Sequence, residues 1–184
     1  MDFIELAKKR YSVRKIDARK VEPEKVAKIL EAGKVAPTAV NIQPQRILVI
    51  DSADALAKLK KCTPYHFDAP LAFIICYDKG ESWKRGYDGA DMGPIDASIV
   101  TTHMLLEIAD LGLGATWVGY FDPAAVKEQF SLPDYLVPVA ILPTGYPAAN
   151  AKPARLHESR KDASQTIFYN SFDGIVPGKA PDFH

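Results

Sequence analysis

The amino-acid sequence predicts a single domain in which strands and helices alternate, an α/β or α+β sandwich. Apolar runs of strand length occur at residues 47–50, 71–77 and 136–142. Segments with helical spacing of apolar residues lie between these runs, and the strongest covers residues 95–111. The chain has 184 residues, which suits one domain with a substantial core. We therefore interpret residues 1–184 as one domain, with residues 148–184 as an extended tail.

Each element is predicted from its capping residues and from the spacing of its apolar residues. Helices are expected at residues 2–9, 23–35, 53–61, 95–111 and 123–130. Strands are expected at residues 47–50, 71–77, 116–118 and 136–142. Asp2 is a suitable N-cap, Pro23 fits an early helical position, and Gly112 ends the longest helix. The 71–77 run is continuously apolar, which predicts a strand covered on both faces.

Two segments lack a regular apolar period. Residues 79–93 are polar and contain glycines together with Trp83 and Tyr87, and we expect a mobile loop that serves as a lid. Residues 146–184 form a long tail that cannot easily make a core of its own. Because such a segment is usually stable only when it packs on another surface, the tail suggests a partner subunit.

The composition argues against two classes of partner. Lysine plus arginine and aspartate plus glutamate number 23 each, so the formal net charge is zero. Binders of nucleic acids and of membrane surfaces need a basic excess, and we expect neither partner here. No apolar run has the length of a membrane span or of a signal peptide. Cys62 and Cys76 lack metal-type spacing, so we expect free thiols and a cytoplasmic location.

Common catalytic motifs are missing from the sequence. Gly112 and Gly114 follow a helix, and Trp117 stands where a dinucleotide fingerprint has its third glycine, which excludes that motif. His103 and Glu107 lie one helical turn apart without a third metal ligand, so we prefer a polar pair on a helix surface. We expect no metal site and no catalytic side chain, and a bound cofactor would supply the reactivity.

A small basic cluster follows the first predicted helix. If residues 10–14 are extended, Arg10, Ser12 and Arg14 point to one face. Two guanidinium groups and a hydroxyl can then bind a phosphate ester. The alternative is a solvated basic strand near the terminus, and this motif alone leaves both interpretations open.

Several motifs together resemble the FMN-dependent nitroreductase family in order and spacing. They are R-x-S-x-R at residues 10–14, A-P-T-A-V-N-I-Q-P at 36–44, the long helix at 95–111, G-L-G-x-x-W-x-G at 112–119, G-Y-P at 145–147 and a basic pair at 160–161. The resemblance covers residues 3–165, and its strength lies in the ordered set rather than in any one motif.

The resemblance implies an α+β fold, a three-layer sandwich with a mostly antiparallel central sheet flanked by helices. It also implies a homodimer with two FMN sites at its interface, tight non-covalent FMN binding, and a C-terminal tail that packs on the partner subunit. The implied FMN-binding residues are Arg10, Tyr11, Ser12, Arg14, Pro37, Thr38, Ala39, Asn41, Gln43, Trp117, Val118, Gly119, Arg160 and Lys161.

One group of these residues would bind the polar end of the flavin. By resemblance to the family, Arg10, Ser12 and Arg14 would contact the phosphate, the ribityl chain and the pyrimidine edge. Arg160 and Lys161 would close over the phosphate.

A second group would surround the flavin ring. By the same resemblance, residues 37–39 would come from the partner chain, and Asn41 and Gln43 would hydrogen-bond near the ring. A backbone N–H of residues 117–119 would face N5 of the flavin. The alternatives are loop-capping amides for Asn41 and Gln43, and core packing for Trp117.

The implied activity is an oxidoreductase reaction with NADH or NADPH as co-substrate. NAD(P)H would deliver hydride to the flavin and leave, and a nitroaromatic, quinone or similar small acceptor would then take its place in a ping-pong mechanism. One alternative is a different flavin reaction, such as enone reduction, dehalogenation or flavin fragmentation, for which Lys84 and Arg85 are candidate residues. Another alternative is a flavin-binding protein without turnover.

Overall fold

The computed structural model describes residues 2–172 and 175. Their contacts form two compact units, one ending at Ala154 and one beginning at Arg155, and each unit is described by itself. The helices of the first unit are α1 (Phe3–Lys9), α2 (Pro23–Lys34), α3 (Ala53–Cys62), α4 (Gly93–Asp110) and α5 (Pro123–Phe130). Its strands are β1 (Gln45–Ile50), β2 (Leu71–Asp78), β3 (Gly114–Ala115) and β4 (Leu136–Gly145).

The four strands form one sheet in the order β1-β2-β4-β3, and all neighbouring strands are antiparallel. Strand β2 lies inside the sheet, and every one of its residues is buried. Ile47 of β1 pairs with Ile75, and Ile141 of β4 pairs with Ile74. The prediction of a strand covered on both faces is therefore confirmed.

Alternate side chains of β2 enter two separate cores, one on each face of the sheet. Phe73 packs with Met104 beneath helices α2 and α4. Ile74 packs with Leu59 and Val126 beneath helices α3 and α5. Burial of each large apolar side chain contributes roughly 1.5–3 kcal/mol, so both helical layers hold the sheet. The result is a three-layer α+β sandwich, as predicted. No helix in the described part of the chain is long and apolar enough to cross a membrane.

The third strand differs from its prediction. We predicted a strand at residues 116–118, whereas β3 covers Gly114–Ala115 and Val118 forms only an isolated bridge to β4. The reason is a competing partner for the backbone. The last carbonyl of β3 accepts the N–H of Val13 at 3.1 Å, and the buried hydroxyl of Thr116 donates to the Val13 carbonyl at 2.8 Å. At the point where β3 would continue, its residues therefore hydrogen-bond to the N-terminal segment instead of extending the strand.

The loop between β2 and α4 is fixed at its base by the carboxylate of Asp91. Its Oδ1 accepts hydrogen bonds from the Ser82 hydroxyl at 2.7 Å and the Gly93 N–H at 2.9 Å. The ammonium of Lys84 lies 2.8 Å from its other oxygen. Burial alone would raise the pKa of Asp91, but these donors outweigh it and lower the pKa to about 2. Tyr87, at the tip of the loop, is fully exposed.

The second unit contains one short 3-10 turn, Ala163–Gln165. Near its end the rings of Phe168 and Phe172 lie 5.4 Å apart. Tyr169 and Phe172 expose most of their surface within this unit. Packing of the tail on a partner subunit stays a prediction, and the last part of the predicted tail lies outside the described residues.

Candidate functional site

The basic segment at residues 10–14 is extended and is attached to the edge of the sheet. Arg10 ends α1, and its N–H donates to the Leu6 carbonyl at 2.9 Å. Ser12 then pairs in parallel with Ala115 of β3. Val13 is buried, whereas Arg14 is exposed. The extended conformation that the basic cluster requires is therefore present, with the buried Val13 between the half-buried Ser12 and the exposed Arg14.

Residues 117–119 continue directly from the strand that holds this segment. Val118 is buried and bridges Ile141 through two backbone hydrogen bonds of 2.9 and 3.0 Å. Trp117 is half-buried and packs against the core beneath α4, as its alternative interpretation expected. Gly119 is exposed, and a Cβ there would meet no atom within 4 Å. The chain thus brings the 10–14 segment and residues 117–119, of which Gly119 is exposed, to the same edge of the sheet.

The second predicted group of residues forms a compact turn after α2. The Ala39 N–H donates to Oδ1 of Asp96 at 2.8 Å, and the Gln43 N–H donates to the Thr38 hydroxyl at 3.0 Å. The Gln43 amide also donates to the Asn41 side-chain oxygen at 3.3 Å. Pro37 is exposed. The side chains of Asn41 and Gln43 therefore support the turn, as their alternative interpretation expected.

This turn also has an unusual backbone. Val40, Asn41 and Gln43 all have left-handed conformations, with φ values of 52°, 56° and 58°. Asparagine tolerates this region, but a β-branched valine seldom adopts it. Val40 is nevertheless 74% exposed, so core packing does not require this conformation. Strained residues of this kind tend to occur at functional sites.

The two groups lie towards opposite ends of α4. Asp96, which holds the turn, is in the first turn of the helix. Arg10 and Tyr11 border a cavity of about 220 Å³ together with Leu105 and Ile108, near the end of the helix. From Asp96 to Ile108 the helix rises by about 18 Å. The predicted residues of the first unit therefore lie in two separate groups, here called half-sites.

The last two predicted site residues, Arg160 and Lys161, belong to the second unit and are exposed there. The guanidinium of Arg160 donates to the carbonyls of His157 and Ser159 at 2.6 and 2.7 Å. Their position over the flavin phosphate stays a prediction.

Sequence reasoning missed two residues that hold the two groups of predicted site residues in place. Asp96 is 2% exposed and supports the 38–43 turn, and Thr116 attaches the 10–14 segment through its buried hydroxyl. An acidic residue early in a predicted helix was the available signal for Asp96, but that pattern usually indicates only a favourable contact with the helix dipole. For Thr116, β-branching indicates a strand and does not identify a partner for the hydroxyl.

The structure also places the polar pair on α4 and the two cysteines. The described residues contain no group of three or more side chains that could hold a metal ion, and the His103 ring nitrogen lies 3.2 Å from the Ile99 carbonyl. Cys62 and Cys76 are free and buried. Burial raises the pKa of the Cys76 thiol to about 12, which makes it a poor nucleophile.

Comparison with known proteins identifies the class. A crystal structure of a nitroreductase family protein from Clostridium difficile 630 has a TM-score of 0.86 and 45% sequence identity, over 93% of this chain and 99% of that one. The molecule therefore has the nitroreductase fold. The sequence pattern of the Nitroreductase family matches residues 7–63 and 64–146. This chain belongs to the nitroreductase family, as the ordered motifs predicted.

Two further relatives are informative about chemistry. A protein from Methanothermobacter thermautotrophicus whose name combines NADH dehydrogenase and NAD(P)H nitroreductase is 34% identical over 157 residues, which cover 82% of this chain and 80% of that protein. The solved structure of an FMN-dependent nitroreductase from Clostridium difficile R20291 is 28% identical, with a TM-score of 0.78, and covers 92% of this chain and 100% of that one.

Proposed function

We propose that this nitroreductase-family enzyme uses FMN to take hydride from NADH or NADPH and passes it, by a ping-pong mechanism, to a nitroaromatic, quinone or similar small acceptor. The observation that carries the proposal is the attachment of the 10–14 segment to the sheet beside residues 117–119, through the Ser12 pairing and the Thr116 hydroxyl. It brings two arginines and the exposed backbone of Gly119 to one edge. The names of the relatives supply the hydride donor and the flavin.

The residues at this edge fit FMN in chemical character. Arg10 and Arg14 form no ion pair with any described residue, and Arg14 donates only to the Ser12 carbonyl of its own segment at 3.3 Å. Guanidinium groups and a serine hydroxyl are the donors that a phosphate ester prefers. The exposed backbone at Gly119 gives a flat ring an approach without a side chain in the way.

The protein groups bind and polarise rather than react. FMN, when bound, supplies the atom that accepts and returns hydride. Arg14 would stabilise negative charge at the pyrimidine edge of the ring, which favours the reduced state. The backbone N–H of Trp117 or Gly119 would orient the ring by a hydrogen bond, since that of Val118 already donates to the Ile141 carbonyl. Arg160 with Lys161 would hold the phosphate. Water can supply the protons, so no side-chain acid is required.

We also propose a homodimer in which each FMN site contains both half-sites. The outer face of α4 carries an open groove of about 440 Å³, lined by Pro94, Ile95, Ser98, Ile99, Thr102 and His103. Ile95 is 52% exposed in this groove, and the neighbouring serine and threonine are small enough for a second helix to approach closely. Because the two half-sites lie near opposite ends of the same helix, a second copy whose α4 packed antiparallel to this one would bring unlike half-sites together. The tail would pack on that second copy.

The alternative flavin reactions receive less support from the loop at residues 79–92. The Lys84 ammonium is engaged by Asp91 and by the Ser82 hydroxyl at 2.6 Å, and Arg85 forms a bidentate pair with Asp88. Both cations are thus used inside the loop. The buried free thiols suit a reducing compartment, and we propose a cytoplasmic location.

Initial-rate kinetics test the proposed reaction. With FMN-loaded protein, NADPH or NADH is varied at several fixed concentrations of a quinone and, separately, of a nitroaromatic. A ping-pong enzyme gives parallel double-reciprocal lines with both acceptors. Intersecting lines would refute the ping-pong order, and absence of turnover with every acceptor would favour the flavin-binding protein without activity.

A further inference from the structure

We propose that Asp96 is a positioning residue that holds the 38–43 turn of one subunit against the FMN bound by the 10–14 segment of its partner. It would act through the Ala39 N–H, which Oδ1 accepts at 2.8 Å. The inference rests on the proposed dimeric FMN site and adds a residue that no motif of the sequence identified. Asp96 need not touch the flavin, because it would act through the backbone of the turn.

The location of Asp96 makes it a firm support. It lies in the first turn of α4, where the partial positive charge of the helix N-terminus favours a carboxylate. A hydrogen bond to a charged acceptor is stronger than one between neutral groups. At the other end of the turn, the Thr38 hydroxyl accepts the Gln43 N–H at 3.0 Å. The two hydrogen bonds hold a segment that would otherwise relax from its three left-handed residues.

Two destabilising features coincide at this point. The backbone of Val40 is strained although its side chain is exposed, and Oδ2 of Asp96 is buried with no hydrogen-bond partner among the residues that the structure describes. A buried acceptor without a donor costs stability, as does a left-handed β-branched residue. Neither feature adds to the stability of the isolated chain. The strained and exposed Val40 fits a turn that presents a fixed surface to a molecule outside the subunit.

Three variants separate positioning from general stability. Asp96→Ala removes the acceptor, Asp96→Asn keeps an oxygen for the Ala39 N–H, and Thr101→Ala removes a buried hydroxyl bond within α4 that does not involve the turn. FMN affinity is measured by quenching of flavin fluorescence, and the environment of the ring by visible circular dichroism. We expect Asp96→Ala to weaken FMN binding about 10-fold and to change the visible spectrum.

The matched variants define the contradicting results. Asp96→Asn should restore most of the FMN affinity and the native visible spectrum. Thr101→Ala should lower the melting temperature without changing either readout. Unchanged FMN affinity in Asp96→Ala would overturn the proposal, as would an equal loss of affinity in Thr101→Ala. Wild-type protein that binds no FMN would instead refute the proposed function on which the inference rests.

Mixed dimers test whether Asp96 acts on the partner's flavin. In a dimer of an Arg14→Ala chain with an Asp96→Ala chain, the intact Arg14 and the intact Asp96 belong to different subunits. The proposal then predicts one site of wild-type affinity per dimer. A dimer of wild-type chain with a chain carrying both substitutions should have no such site, because each site then has one defect. The opposite pattern would show that Asp96 acts within its own subunit and would overturn the proposal.

Discussion

Substitution of Thr116 by valine removes the side-chain hydrogen bond that attaches the 10–14 segment to the sheet. The hydroxyl donates to the Val13 carbonyl at 2.8 Å, and both residues are buried. Valine has nearly the same shape, so the main changes are one lost hydrogen bond and one buried carbonyl that loses a donor. Loss of a bond with a buried acceptor costs about 1–3 kcal/mol.

That free energy should affect both stability and FMN binding. For a domain of this size, a loss of 1 kcal/mol lowers the melting temperature by roughly 2–4 °C, so we expect a fall of several degrees in the apoprotein. Because the loosened segment carries Arg10, Ser12 and Arg14, the FMN dissociation constant should also rise. Thermal unfolding of the apoprotein and fluorescence titration with FMN measure the two effects separately.

Thr101→Val is the matched control for this prediction. Thr101 is buried as well, but its hydroxyl donates to the Ala97 carbonyl within α4, away from the 10–14 segment. It should lower the melting temperature without changing FMN affinity. Equal FMN affinity in Thr116→Val and Thr101→Val, at comparable losses of stability, would refute the view that Thr116 supports the FMN site.

Three further predictions follow from individual side chains. Arg10→Ala and Arg14→Ala should each weaken FMN binding by about 1.5–3 kcal/mol per lost charge-assisted hydrogen bond, measured by fluorescence titration; unchanged affinity in both would remove the basis of the site. Asp91 has a pKa lowered to about 2, so its stabilising contribution is present above the carboxyl pKa of the unfolded chain and is lost as pH falls towards 2. Urea unfolding should therefore show that Asp91→Asn loses less stability than the wild type between pH 5 and pH 2. An equal loss of unfolding free energy in both proteins would contradict this. Cys76, whose pKa is raised to about 12, should resist a thiol reagent in the native protein at pH 8 and react after unfolding, whereas rapid native labelling at this position would show that it is accessible.

The sequence predicted the layers of the fold because those layers depend on apolar spacing. The 71–77 run indicated a strand buried on both faces, and β2 has that position in the sheet. The 95–111 pattern indicated the long helix, although α4 begins earlier, at Gly93. Apolar residues recur at a fixed spacing because one face of a helix or strand is buried. That spacing can be recognised without knowledge of the tertiary structure.

The parts that depend on long-range hydrogen bonds could not be predicted. The prediction of a strand at residues 116–118 was wrong because the hydrogen-bond partner of Thr116 lies more than one hundred positions earlier in the chain. The same holds for Asp96, whose partner Ala39 lies 57 positions away. The candidate site residues were found from ordered motifs, but their division into two half-sites required the geometry of α4. Local sequence patterns therefore predicted the candidate donors but not their arrangement in the fold.

The most direct test of the central claim is the visible absorption spectrum of the purified protein, followed by anaerobic addition of NADH or NADPH. We predict flavin absorption bands that bleach on addition of the nucleotide and return when a quinone is added. Absence of flavin bands, even after incubation with excess FMN and removal of the unbound cofactor, would contradict the account.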